Sequence, residues 1–380
     1  MTEQPINIRV AAAGRTRSAE EWELGLVDLA VLAGGEVLDA GGQPPDAIIT
    51  ANALGDALGD QRNLALHAAD RLGLHGVETL CVSCDEASGG SAIRQAIALL
   101  LSGFHQRVLV IGAEKTSDAL PDQLEAVRAT GLDAAQEASF GFSPTVAAAL
   151  GMGRYLEHHG LARELFYHPA RIAHAHGAKN RLGIFAWPLT VEQYLKSPVV
   201  ATPLTVCDNA PLCDGAAAVM LTREPGPGVH ITGSASVCAR RGISAPVVDL
   251  SLPAARESAR AALARAGLTA ADMACFELHD SSSFLAVLSM EAVGLAPEGR
   301  ALLDAQQGAF DEGGQSVLWV GGGHKSRGHA PGAGGVFQLV EAALALQGRL
   351  DVRLSKKEHA LVQCLGSFGA LAVTHVLTVR

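Results

Sequence analysis

An α/β fold with a sheet covered on both faces is what this chain predicts, and three observations predict it. Short apolar strands alternate with amphipathic helices over most of the 380 residues. Ala47–Ala51 and Arg107–Gly112 are apolar along nearly their whole length instead of at alternate positions, the pattern of strands buried on both sides. The composition, 48% apolar and 18% charged, supplies apolar surface for a large core.

Taken in order, Ile6–Val10 reads as a short strand and Ala19–Asp39 as a long amphipathic helix. Ala47–Ala51 is a buried strand, Gln61–Leu72 a helix, Val77–Ser83 a third strand, Gly90–Gly103 an apolar helix and Arg107–Gly112 a continuous apolar strand. Residues 115–214 break the alternation. They are rich in His and Pro and hold helical stretches at Thr145–His159 and Ala162–His176, so they read as an insertion over one end of a sheet. The alternation then resumes with Ala217–Thr222, Pro253–Ala266, Ala274–Leu278, Ser283–Val293 and Val317–Val320. Gly335–Gln347 is a long helix, and Ala360–Cys364 and Leu371–Val379 close as a strand pair. The expected units are therefore 1–114, an insertion at 115–214, and a second half at 215–380 that repeats the strand–helix order of the first.

The charge balance narrows the function. A formal charge of −10 argues against a nucleic-acid surface, which needs clustered Lys and Arg. No apolar run reaches the roughly 18 to 20 residues of a membrane span. Seven cysteines, an odd and scattered number, with no secretory leader expected, fit a reducing cytoplasm. Cys81 and Cys84 form a Cys-x-x-Cys pair, but no second pair completes a zinc site and burial is expected for Cys81. His158, His159, His168, His174 and His176 crowd the insertion without a metal-ligand spacing and read as a solvated helix face. No metal and no resident cofactor are expected.

Four stretches carry a resemblance to the thiolase superfamily, nearest its archaeal and sterol-carrier-protein-linked branch. Leu72-Gly-Leu-His-Gly-Val77, followed by Glu86-Ala-Ser-Gly-Gly90, resembles the strand and turn that carry the nucleophile. Val200–Asp208 with Asp214–Ala218 resembles the passage from the loop domain into the second half. Glu277-Leu-His279-Asp280, with Glu291–Leu295 behind it, resembles the His-Asp motif. Gly321–Gly335, bearing His329, and Gln363-Cys364-Leu365-Gly366 resemble the last two catalytic loops. The resemblance implies two βαβαβαββ halves in five α-β-α-β-α layers, an inserted loop domain, a homodimer, and C–C bond chemistry beside a coenzyme A thioester as substrate. For some relatives it also implies a small zinc-ribbon/OB-fold partner subunit.

It also implies roles. In the family a cysteine at a helix mouth carries the acyl group, a histidine from the glycine-rich loop takes its proton, and a second cysteine moves the substrate Cα proton. Here the ungapped position of the nucleophile is Glu86, with Cys84 two residues earlier. If Cys84 reaches the helix mouth, the chemistry is thiolysis or acyl transfer on a 3-oxoacyl-CoA. If Glu86 holds it, a non-acylating lyase is preferred, either a retro-aldolase or a decarboxylase. A catalytically silent subunit of a complex is the third alternative. His329 and His279 are the expected catalytic or oxyanion histidines, Cys364 the expected acid/base group, and the Gly366 backbone an oxyanion donor. His324-Lys325-Ser326-Arg327 reads equally as a CoA-phosphate contact or a solvated loop. Ser281-Ser282-Ser283 departs from the family pattern after the His-Asp pair.

Overall fold

The computed structural model describes residues 6–59, 61–239, 250–355 and 358–380. The first half contains β1 (Ile8–Arg15), α1 (Leu26–Asp39), β2 (Ala47–Ala51), α2 (Gly55–Leu58), α3 (Leu64–Arg71), β3 (Glu78–Val82), α4 (Ser88–Ser102) and β4 (Arg107–Glu114). The insertion carries α5 (Pro121–Ala129), α6 (Pro144–His159), α7 (Tyr167–Gly177), α8 (Val191–Leu195) and a hairpin of β5 (Val199–Ala201) and β6 (Leu204–Thr205). Then come β7 (Gly215–Thr222), β8 (Val229–Cys238), α9 (Pro253–Ala266), β9 (Cys275–Glu277), α10 (Ser283–Ala292), α11 (Ala301–Gln306), β10 (Val317–Leu318) and α12 (Gly323–Arg327). The chain closes with α13 (Gly334–Leu346), β11 (His359–Gly366) and β12 (Leu371–Val379).

The ten long-range strands run in the order β10-β9-β11-β12-β8-β1-β7-β4-β2-β3. The two middle strands, β8 and β1, share only the pairs Ile8↔Ile231 and Arg9↔His230, so the sheet is two five-stranded halves joined at a narrow seam. Numbered within its own half, each reads 1-5-4-2-3 outward from that seam. The repeat expected from the element order is thus a repeat of topology. Helices α4 and α13 lie between the half-sheets and touch strands of both, while α1 and α3 cover the outer face of the first half and α9 that of the second. The five layers follow. β4, β7 and most of β11 are buried throughout, as strands covered on both faces must be.

Several expectations change. Residues 215–222 do not open the second half: β7 pairs antiparallel with β1 and β4 and completes the first. The insertion therefore interrupts the first half before its last strand, and the second half begins at β8. The helix expected from Ala19 starts only at Leu26, because Gly25 is its N-cap, its N–H donating to Asp28 (2.8 Å), and Ala19 instead bridges to Asp214. Cys81 is exposed, since β3 is the sheet's edge strand. Two insertion histidines are buried: the ring Nδ1 atoms of His174 and His176 lie 3.1 and 2.7 Å from the carbonyls of Trp187 and Leu318. The 321–335 loop is buried along its length, so His324–Arg327 is neither a solvated loop nor an exposed phosphate contact.

The central layer closes at glycines. A Cβ on Gly89 of α4 would stand 2.8 Å from Val336 N and 2.9 Å from Gly335 N, both backbone atoms of α13 that cannot turn aside. Gly89→Ala is accordingly expected to destabilise the fold by about 1–3 kcal/mol despite alanine's better helix propensity, read as a lowered midpoint in urea. An unchanged midpoint would mean that the two helix starts are not in contact.

Candidate active site

The site forms where three chain turns meet beyond the carboxyl ends of β3, β9 and β10, the usual end for ligands in α/β sheets. After β3 the chain makes a tight turn into α4. Asp85 sits at φ +54°, a left-handed conformation that non-glycine residues rarely adopt, and this turns Glu86 toward the helix mouth. Ser88 staples the turn: its hydroxyl accepts from Cys84 N (2.8 Å) and donates to Asp85 O (2.6 Å). Ser367 N donates to the Asp85 carboxylate at 2.7 Å and ties the turn to the loop after β11.

After β9, His279 is placed by strand geometry and almost wholly buried. Leu365 N donates to His279 Nδ1 at 3.4 Å, so the ring proton resides on Nε2. That Nε2–H faces Glu86 Oε2 and Ser281 Oγ, each at 3.0 Å. Next in sequence, Asp280 accepts from the backbone N–H groups of His324 (2.7 Å) and Lys325 (3.1 Å) and so anchors the glycine-rich loop. His329 follows α12. Its N–H donates to Pro211 O (2.8 Å) and its carbonyl accepts from Cys213 N (3.0 Å), which locks its backbone like a strand. His329 Nε2 lies 3.3 Å from Glu86 Oε1 but out of line for a hydrogen bond, and neither ring nitrogen has a partner.

Glu86 is therefore the group on which both histidines converge. A third partner, and a permanent cation, comes from the insertion: Arg128 of α5 donates to Glu86 Oε1 at 3.2 Å. Burial by itself opposes ionisation of Glu86. The charge His329 gains on protonation, the hydrogen bond from His279 and the Arg128 guanidinium outweigh it and hold the carboxyl well below its usual range. The α4 N-terminus acts in the same sense. His329 is held below its ordinary value, chiefly by burial against the opposing pull of Glu86, so at neutral pH it is an imidazole with free proton capacity. Asp85 goes the other way, pushed up to about 6 by burial and by the neighbouring Glu86 charge.

Neither cysteine joins this group. Cys84 packs with Ala87, Leu371, Val373 and Cys364. The Cys364 thiol donates to Ala87 O at 3.8 Å, and burial pushes it up to about 12, so it is not a base at neutral pH. The next residue along β11, Leu365, is the one that meets His279, through its backbone N–H. Gly366 packs where a Cβ would stand 2.8 Å from Cys84 O, so its lack of a side chain lets the two loops meet. Sequence reading missed Arg128, which sits in a segment without a motif, and read His324 as a phosphate contact or a solvated residue instead of a neighbour of the two histidines. The His324 ring stands 4.7 Å from His329 and 5.0 Å from His279, centroid to centroid. Arg327 donates to His324 Nδ1 at 2.8 Å, and the same guanidinium pairs with buried Glu341 at 2.6 Å. Among the described residues, the one set of three ligand-type side chains with atoms within 4.8 Å of one another is His158, His159 and Glu298, none of which lines the pocket at Glu86.

Comparison with known proteins agrees with this architecture. Residues 237–379 match the family model described as Thiolase C-terminal domain-like. The chain is 30% identical to an acetyl-CoA acetyltransferase of Methanothermobacter thermautotrophicus, over 98% of this chain and 99% of that protein. It is 28% identical to sterol carrier protein 2 of Bos taurus, over 91% of this chain and 67% of the relative. Among solved structures, an Ltp2-ChsH2(DUF35) aldolase superposes with a TM-score of 0.82 at 20% identity, covering 99% of this chain and 98% of that one. Human mitochondrial 3-ketoacyl-CoA thiolase superposes with a TM-score of 0.77 at 18% identity, covering 99% of each chain.

The Glu86 network has a signature in acid. A carboxyl whose folded pKa is depressed contributes stability above its unfolded pKa, here about 4.5, and loses it as pH falls through the folded value. The stability difference between the wild type and Glu86→Gln is expected to shift against the wild type as pH falls below about 4.5. Urea unfolding of both proteins over pH 3–7 measures it. A difference that stays flat through the acid range contradicts an ionised, compensated Glu86.

Proposed function

The chain belongs to the thiolase superfamily, and from that premise we propose that it cleaves or forms a C–C bond beside a CoA thioester through an enolate, with no acyl-enzyme intermediate. The observation that carries this reading is the Glu86 carboxylate, standing against His279 and His329 where the family has a thiol. Acylating a carboxylate would give a mixed anhydride, higher in energy than the thioester it came from, so acyl transfer through Glu86 runs uphill.

Retro-aldol cleavage of a 3-hydroxyacyl-CoA suits the remaining groups. His329, neutral and with unpartnered nitrogens, takes the proton of the 3-hydroxyl, and Glu86 stabilises the imidazolium that forms. The O–H electrons close the new carbonyl, the C2–C3 bond breaks, and its electrons move into the thioester as an enolate. His279 Nε2–H, with the Ser281 hydroxyl beside it, is oriented to donate to the enolate oxygen. Return of the proton from His329 to C2 gives a shortened acyl-CoA and a free aldehyde or ketone. The reverse sequence is an aldol condensation.

The aldolase name of one structural neighbour accords with this assignment, and that neighbour's DUF35 component supports proposing a companion subunit of the zinc-ribbon/OB-fold type. A homodimer is the proposed oligomer, in line with the exposed β3 edge at Glu78, Thr79, Leu80 and Cys81.

The test is turnover of a panel of 3-hydroxyacyl-CoAs, with release of carbonyl product and shortened acyl-CoA as the readout. Glu86→Gln is expected to lower kcat by about 100-fold or more, and Cys84→Ser to leave it within about twofold. Peptide mass spectrometry is expected to find no acyl group on any cysteine. An acyl adduct on Cys84, abolished in Cys84→Ser, would overturn the reading in favour of thiolysis.

A further inference from the structure

The pocket beside Glu86 is nearly filled. Its free space is about 20 Å³, room for roughly one water molecule, so the reacting carbons of an acyl-CoA do not fit until a wall moves. Its walls differ in how firmly they are held. His279 and Leu365 are buried, and Glu86 is held at the start of α4, whose first residues are buried, whereas Arg128, Gly131 and Leu132 come from α5 and the residues just after it. Of the nine residues of α5, only Ala129 is buried. The segment preceding it is anchored through Thr116 and Ser117 to Asp214, and the segment following it through Gly131 O, which accepts from Ser367 Oγ at 3.0 Å. Between these anchors, the helix reaches the reactive centre through the side chain of Arg128.

Resting on the reading that Glu86 serves the reaction, we propose that α5 is the movable wall of this pocket and that Arg128 is its latch. Release of Arg128 from Glu86 admits the acyl group and at the same time raises the proton affinity of the carboxylate. The latch geometry is that of a pair made to exchange. One guanidinium end holds Glu86 Oε1 at 3.2 Å, the other holds Glu125 Oε2 of the same helix at 3.2 Å, and Nε has no partner. When α5 swings out, Glu125 moves with Arg128 and keeps it paired in solvent, so opening does not strand a bare cation. Glu86 is left facing Asp85 from its own turn, His279 from the loop after β9 and His329 from the glycine-rich loop. The two imidazoles carry charge only when protonated, and Asp85 is itself an acid, so neither replaces the permanent charge of the guanidinium. Glu86 without Arg128 is therefore a stronger base than Glu86 with it. Arg128 is in this account a positioning residue: it acts on the chemistry through Glu86.

Two readouts on the full-length protein test the latch without requiring turnover. The first is infrared titration of the Glu86 carboxylate, taken as the difference between each protein and its Glu86→Gln counterpart. The second is hydrogen exchange of residues 121–131. In Arg128→Met, Glu86 is expected to take up its proton at about tenfold lower proton concentration, and the amides of α5 to exchange at least about tenfold faster. Arg128→Lys keeps the charge and is expected to hold the Glu86 titration near that of the wild type. Should Arg128→Met not fold, Arg128→Gln carries the same two expectations. If Glu86 titrates as in the wild type and α5 keeps its protection in the charge-removed variant, the latch is wrong, whatever the substrate. If both readouts move as expected while no thioester is turned over, the latch stands and the reaction assignment falls.

Discussion

A carboxylate largely withdrawn from water needs partners, and most of what is unusual around this centre supplies them to Glu86. A charged group taken out of water is tolerated only where opposite charge and hydrogen bonds replace the solvent. Here the replacement comes from three distant parts of the chain: His279 from the end of β9, His329 from the glycine-rich loop and Arg128 from the insertion. The strained Asp85 turn aims the carboxylate at them, and the start of α4 lies just behind. Loss of any one partner leaves the others facing an undercompensated charge, so the constellation is a unit and its members are not independent contributors.

A second buried network holds the histidines in place. Glu341 receives Arg327 and Arg15, each at 2.6 Å, from opposite sides. Arg327 in turn donates to His324, which packs between His279 and His329. Burial, reinforced by the Glu341 charge, pushes Glu277 well above the carboxylate range, so it sits protonated while its Oε1 accepts from Val320 N. Burial and the neighbouring cationic groups keep His324 well below its ordinary value. Burial thus holds both His324 and His329 below the ordinary imidazole value although the three rings nearly touch, which preserves His329 as an acceptor of protons. Arg327 and Glu341 are thus remote from the reacting position but decide the charge state near it.

Much of the frame was legible in the sequence because it depends on periodicity. Continuous apolar runs mark β2 and β4, and the alternation of strands with helices implies layers. The topology of β7 was not legible, because Gly215–Thr222 carries no signal for which half-sheet it joins; only its pairing with β1 and β4 decides that. At the site, His279, His329 and Glu86 were readable from motif spacing. Cys364 was readable as a residue but not as a direction, since its thiol turns to the Ala87 carbonyl and only the backbone N–H of the next residue meets His279. His324–Arg327 read equally as a phosphate contact or a solvated stretch because it is polar and basic, yet Arg327 has its partner 14 residues away and Asp280 caps the loop's backbone. Arg128 left no trace at all, because a pairing between residues 42 apart has no local pattern. Polar residues buried by long-range pairing are what one sequence hides best.

The central claim is that this centre handles protons and enolates but does not carry acyl groups. Two isotope exchanges, run in one tube, separate those abilities. The protein is incubated in deuterated buffer with an acyl-CoA and with isotopically labelled free coenzyme A. NMR then follows deuterium at C2 of the acyl group, and mass spectrometry follows the label into acyl-CoA. The account predicts deuterium at C2, lost in Glu86→Gln, with no transfer of labelled coenzyme A into the thioester. Incorporation of the coenzyme A label at a rate matching or exceeding the C2 exchange requires an acyl-enzyme and would contradict it.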